Sequence, residues 1–87
     1  MASYDLEISR TAEKQLKRLP RAEQQRIVRA MLNLAVDPRP RGSRKLIGYE
    51  DVFRIRVGRY RILYSIATQR LIIIILKVGH RRDVYRP

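Results

Sequence analysis

The chain has 87 residues, enough for one domain with a modest core and too few for a separate regulatory module. Twenty Lys plus Arg against eight Asp plus Glu leave a formal charge of +12, a balance that repels itself unless a polyanion or an acidic protein is bound. The absence of cysteine excludes disulfides, zinc–thiolate centres and thiol nucleophiles, and the longest apolar run, LIIIIL at 71–76, is far short of the ~20 residues of a membrane span.

In chain order, SYDLEIS alternates Tyr4, Leu6 and Ile8 with Ser3, Asp5 and Glu7, the period of a half-buried strand. Ser9 is placed to cap a short helix in which Ala12, Leu16 and Leu19 share a face, and Pro20 interrupts it. A longer helix is predicted from about Ala22 to Val36, with Ile27, Met31, Leu34 and Ala35 on one side and Glu23, Gln25, Arg26, Arg29 and Asn33 largely elsewhere. DPRPRG ends it, because Pro38 and Pro40 cannot continue a helix and Gly42 permits a turn. From Ser43 the period returns to two, briefly at RKL and then in VFRIRV and YRILYSIA. RLIIIILKV does not alternate, reads as apolar on both faces and belongs in the middle of a sheet. The expected class is α+β, with both helices on one sheet face.

The basic residues are sixteen arginines and only four lysines. Guanidinium forks onto phosphate oxygens, whereas ammonium acts as a point charge, so the bias favours phosphate recognition and makes nucleic acid the default partner. VFRIRV and YRILY flank Gly58-Arg59, and a two-residue loop with Gly first predicts a type II′ hairpin. That turn sets Val57 opposite Tyr60, Arg56 opposite Arg61, Ile55 opposite Ile62, Arg54 opposite Leu63 and Phe53 opposite Tyr64. One face is then apolar, and the other carries Arg54, Arg56 and Arg61. Like charges directly opposite are destabilising, and a phosphate between Arg56 and Arg61 offsets that cost. Arg39, Arg41, Arg44 and Lys45 approach the hairpin on a loop able to follow a nucleic-acid backbone, and Arg59 sits in its turn. After the last strand come His80, Arg81, Arg82 and Tyr85. Histidine is the residue type whose proton exchange suits neutral pH, which makes His80 a candidate for proton transfer, and Tyr85 can stack on a base or pass a proton.

From YDLEISRTAEKQLKRLP through KLIGYEDVFRIRVGRYRILYSI to VGHRRDVY, the sequence resembles the RelE toxins of the RelE/ParE superfamily, found in bacterial and archaeal toxin–antitoxin pairs. The resemblance implies one RelE-like domain over residues 1–87, of β-α-α-β-β-β(-β) order, with a curved, mainly antiparallel sheet similar to microbial ribonucleases. It implies cleavage of mRNA in the ribosomal A site without metal or cofactor, the ribose 2′-OH attacking its own 3′-phosphate to leave a cyclic phosphate and a 5′-OH. It also implies a RelB-like antitoxin, in a tight complex that reaches a heterotetramer or more on operator DNA; a cytoplasmic location is expected from the N-terminal MASYDLEISR, which has no apolar h-region, and from the shortness of the apolar run.

Carried over residue by residue, the catalytic set is Arg54, Arg56, Arg61, Arg81 and Tyr85, with His80. From their place on the basic loop, the hairpin turn and the C-terminal end, Arg39, Arg41, Arg44, Lys45, Arg59 and Arg82 are expected to bind RNA. Arg54 and Arg56 stand where some relatives carry lysine, and an arginine does not give up its proton. They therefore read as electrostatic clamps, which leaves proton transfer to His80, Tyr85 or Glu50. The GHRRDVY spacing admits either Arg81 or Arg82 at the family's arginine position, with Arg81 preferred. Two other readings share the fold: a ParE-like inhibitor of DNA gyrase, and an RNA-binding relative without catalysis.

Overall fold

The computed structural model of the chain describes residues 3–80, so Arg81, Arg82 and Tyr85 lie outside the described residues. The elements run β1 (Asp5–Ile8), α1 (Arg10–Lys17), α2 (Arg21–Val36), β2 (Arg44–Lys45), β3 (Val52–Val57), β4 (Tyr60–Ala67) and β5 (Ile72–His80). They build one five-stranded sheet in the order β1-β5-β4-β3-β2, with β1 parallel to β5 and every other pair antiparallel. The expected α+β arrangement is present. The apolar run forms β5, an interior strand between β1 and β4, while β4 holds the centre.

Ser9 starts α1 as its residue type predicts: its Oγ accepts from the Ala12 amide at 3.0 Å, and its extended backbone turns the chain out of β1. Pro20 separates the helices, and Gln24 of α2 reaches back to donate to the Leu19 carbonyl at 2.8 Å, satisfying an acceptor left over at the end of α1. Ile27 and Leu34 of α2 meet Ile62 and Tyr64 of β4 and Ile73, Ile75 and Val78 of β5 in a core that excludes water almost completely. Each such aliphatic side chain contributes roughly 1.5–3 kcal/mol of burial.

Between β4 and β5 the register slips. Leu63 faces Lys77 but Tyr64 faces Ile75, so Leu76 is the extra residue of a bulge. Helix α1 supports this bulge directly, as Ser9 Oγ donates to the Leu76 carbonyl at 2.8 Å and Gln15 Oε1 accepts from the Val78 amide at 2.7 Å. The bulge resets which side chains face the helices. Ile73 and Ile75 point into the core, strict alternation would send Lys77 after them, and the inserted Leu76 instead returns Val78 to the core and Lys77 to the outer face.

Candidate nucleic-acid interface

The hairpin that carries the arginines has the predicted form. Gly58 lies at φ +61, as the first central residue of a type II′ turn requires, and the β3–β4 register pairs Arg56 with Arg61 and Arg54 with Leu63. Phe53, Ile55, Ile62 and Tyr64 belong to the core. Arg54, Arg56 and Arg61 therefore project from the outer face, away from the helices. Arg56 is exposed, Arg54 and Arg61 are half-buried, and Arg61 Nε is shielded from water.

Two rows of residues cross this face. One runs Arg56, Arg61, Gly79; the next runs Arg44, Arg54, Leu63, Lys77. Arg44 directly opposite Arg54 is a second like-charge pair that sequence reasoning missed, because a two-residue strand such as β2 has almost no periodicity to read. Lys77 was missed as well, since the bulge that turns it outward is hidden in an apolar run. Beyond these rows the cations stop: Val52, Ser65, Ile74 and Glu7 form the next row.

Beside the outer face lies a cleft of about 630 Å³ between α2 and β3. Arg41, Arg44, Arg54 and Arg56 line it with Arg26 and Asn33 of α2, over an apolar floor that includes Leu34, Ile55 and Val57. The sequence pattern marks Arg26 and Asn33 only as residues turned largely away from the apolar side of α2. The amphipathic pattern of a helix says which side is buried but not what stands beside the other. The Arg26 guanidinium comes so near the hairpin turn that a Cβ at Gly58 would sit 3.0 Å from its Nη1.

The remaining predicted residues are spread more widely. Arg59 is exposed at the hairpin tip, and Lys45 is exposed at the sheet edge opposite Phe53. Arg39 stands over the Phe53 ring, 5.3 Å from its centroid, on the core side of the sheet. His80 ends β5 opposite Tyr60, the two rings edge-on at 6.3 Å, so it has the parity of Tyr60 and not of Arg61. Glu50 is exposed in the β2–β3 loop, beside Lys45 and Tyr49. Among the described residues no three His, Asp or Glu side chains gather as a metal site. What the arrangement offers chemically is fixed positive charge, which stabilises a phosphate as it gains negative charge and fixes its place along the sheet.

Residues 6–85 match the family described as ParE toxin of type II toxin-antitoxin system, parDE. The chain belongs to this toxin family. The chain is 34% identical to toxin RelG of Mycobacterium tuberculosis over 91 residues, covering 95% of this chain and 97% of that protein. It is 29% identical over 86 residues to putative toxin RelE1 of Methanocaldococcus jannaschii, covering 95% and 96%. Among solved structures, the archaeal RelE–RelB complex of Pyrococcus horikoshii superposes with a TM-score of 0.82 at 32% identity, covering 93% of this chain and 98% of that one. The protein is thus a type II toxin of the RelE/ParE superfamily, with the RelE fold of two helices packed on a mostly antiparallel five-stranded sheet.

Proposed function

We propose that this toxin is a ribosome-dependent endoribonuclease that cuts mRNA in the A site by attack of a ribose 2′-OH on its own 3′-phosphate. The observation that carries the reading is the opposition of Arg56 and Arg61 on the outer face. A fold that gains nothing from two facing cations gains a site for a phosphate, whose negative charge grows as the pentacovalent state forms. Arg56 and Arg61 hold the non-bridging oxygens. Arg81 adds charge to the same phosphate, and Tyr85 moves the protons, since the guanidinium groups cannot and His80 has the parity of the opposite face.

Primer extension along an mRNA after induction of the toxin tests this. The wild type is expected to leave A-site breaks, and Arg61→Ala to reduce them by about 10²–10³-fold, the usual scale for loss of one charge-stabilising group. Unaltered cutting by the variant would remove Arg61 from the site.

A ParE-like reading is favoured by the name of the matched family alone. It predicts inhibited supercoiling with mRNA intact, which the same induced cells report.

The partner we infer is a RelB-like antitoxin. Its binding segment is acidic and carries apolar side chains, because the cleft presents five arginines above Leu34, Ile55 and Val57. There β2 pairs only with Phe53 and Arg54, so the outer edge of β3 from Ile55 to Val57 has no strand beside it among the described residues and suits an added strand. Val28, Leu32 and Val36, exposed at four-residue spacing along α2, suit an amphipathic helix of the same partner.

A further inference from the structure

The Arg44–Arg54 pair repeats, one row away, the feature that marks Arg56–Arg61. Residues 54 and 56 are separated by one pleat repeat of β3, ~6.8 Å, and the two pairs lie in neighbouring strand gaps, offset sideways by ~4.8 Å, so their midpoints are roughly 8 Å apart. An arginine side chain swings its guanidinium by more than the excess of that distance over the spacing of consecutive phosphates in an extended single strand. The two cation pairs can therefore engage two adjacent phosphodiesters.

The surroundings bound the site at two. On one side the hairpin turns at Gly58, and on the other the next row carries no cation and ends in Glu7. A second groove, of about 610 Å³, opens at β2 and is lined by Arg44, Lys45, Leu46, Ile47 and Arg54. Arg44 and Arg54 line both this groove and the α2–β3 cleft, so the pair stands where the two depressions meet. Ile47, 97% exposed, gives the groove an apolar wall that the fold itself does not use.

We propose that Arg44 and Arg54 form a second phosphate site, which holds the linkage adjacent to the one clamped by Arg56 and Arg61 in single-stranded RNA, with the neighbouring base covering Ile47. This rests on the reading of the protein as an RNA-cutting toxin and divides the arginines by role. Arg56 and Arg61 act on the reacting phosphate, while Arg44 and Arg54 set which phosphate arrives there. Arg54 is accordingly a positioning residue.

The test uses 2′-O-methylated oligonucleotides, which cannot be cut, without terminal phosphates: a dinucleotide with one phosphate and a trinucleotide with two. Binding to the full-length toxin is followed by ³¹P and amide NMR. The wild type is expected to bind the trinucleotide about tenfold more tightly than the dinucleotide, the scale of one charge-assisted contact. The salt dependence should steepen by about 0.7 in logarithmic slope, the value per phosphate on a single strand. Arg44→Gln should bind the dinucleotide as the wild type does but lose the gain and the added slope, whereas Arg70→Gln, on the β4–β5 turn, should keep both. Ile47→Ser should lose part of the trinucleotide gain only. Retention of the gain by Arg44→Gln, equal weakening of both ligands, or no gain in the wild type overturns the proposal. Absence of A-site cutting in cells would overturn the nuclease reading separately, because the binding comparison needs no cleavage.

Discussion

At the scale of single residues, the arginine face separates what stabilises the fold from what serves function. Arg56 opposite Arg61 costs on the order of 0.2–1 kcal/mol relative to a neutral pair. Arg56→Gln is therefore expected to raise the unfolding free energy by about that amount in urea while lowering A-site cutting. A variant both less stable and less active would assign Arg56 a structural role. Tyr64 behaves in the opposite way. It is fully buried, stacks on Phe53 at 6.0 Å and donates to the Pro38 carbonyl at 2.7 Å. Burial, opposed by a hydrogen bond from Ser43, pushes its pKa up to about 12 from 10.0. The folded state then holds the phenol proton more tightly than the unfolded chain does. The stabilisation is complete below about pH 10 and is lost as pH rises toward 12. Tyr64→Phe, compared with the wild type by denaturant titration at pH 9 and pH 11.5, should show a distinctly smaller fall. Equal falls would place the alkaline sensitivity elsewhere.

At the scale of elements, the bulge at Leu76 decides how the sheet divides into a core face and a cationic face. Two of its backbone groups, the Leu76 carbonyl and the Val78 amide, are satisfied by side chains of the α1 region. Gln15→Ala leaves the Val78 amide without its acceptor and is expected to cost about 1–3 kcal/mol, with faster hydrogen exchange at Val78 than at its neighbours on β4. A uniform rise in exchange along β5 would mean that the bulge is held by the strand pairing instead. The same bulge explains what the sequence could and could not disclose. The hairpin was legible to the residue, because a glycine-first two-residue turn fixes one register and period two does the rest. Ser9 and Pro20 likewise marked the helix boundaries through backbone chemistry that depends on few neighbours. In β5, by contrast, isoleucine or leucine fills every position from 72 to 76, so a one-residue slip leaves no trace in the pattern and the outward turn of Lys77 is invisible. The Arg44–Arg54 pairing and the approach of Arg26 to Gly58 are tertiary facts, set by where α2 and β2 come to rest.

At the scale of the whole molecule, a charge of +12 on 87 residues, with five cations in two adjacent rows of one face, makes salt act on folding and on binding with opposite signs. Raising sodium chloride from 0.02 to 0.5 M shortens the screening length from about 20 Å to about 4 Å. Repulsion within the cationic face then weakens, while surface ion pairs such as Lys17–Glu13, 3.2 Å apart on α1, contribute too little to reverse the trend. The isolated toxin should melt at a higher temperature in high salt, by roughly 4–8 °C if about 1 kcal/mol of repulsion is screened. RNA affinity should fall over the same range, because each phosphate contact surrenders its advantage of counterion release. Sulfate at equal ionic strength separates general screening from site binding. A dianion lodged between facing arginines stabilises the folded state by mass action, in addition to screening and to the general effect of sulfate on burial. The excess of sulfate over chloride should therefore shrink in the double variant Arg44→Gln, Arg56→Gln, which leaves neither cross-strand pair intact. An undiminished excess in that variant would place anion binding outside the two rows, and with it the path of the RNA.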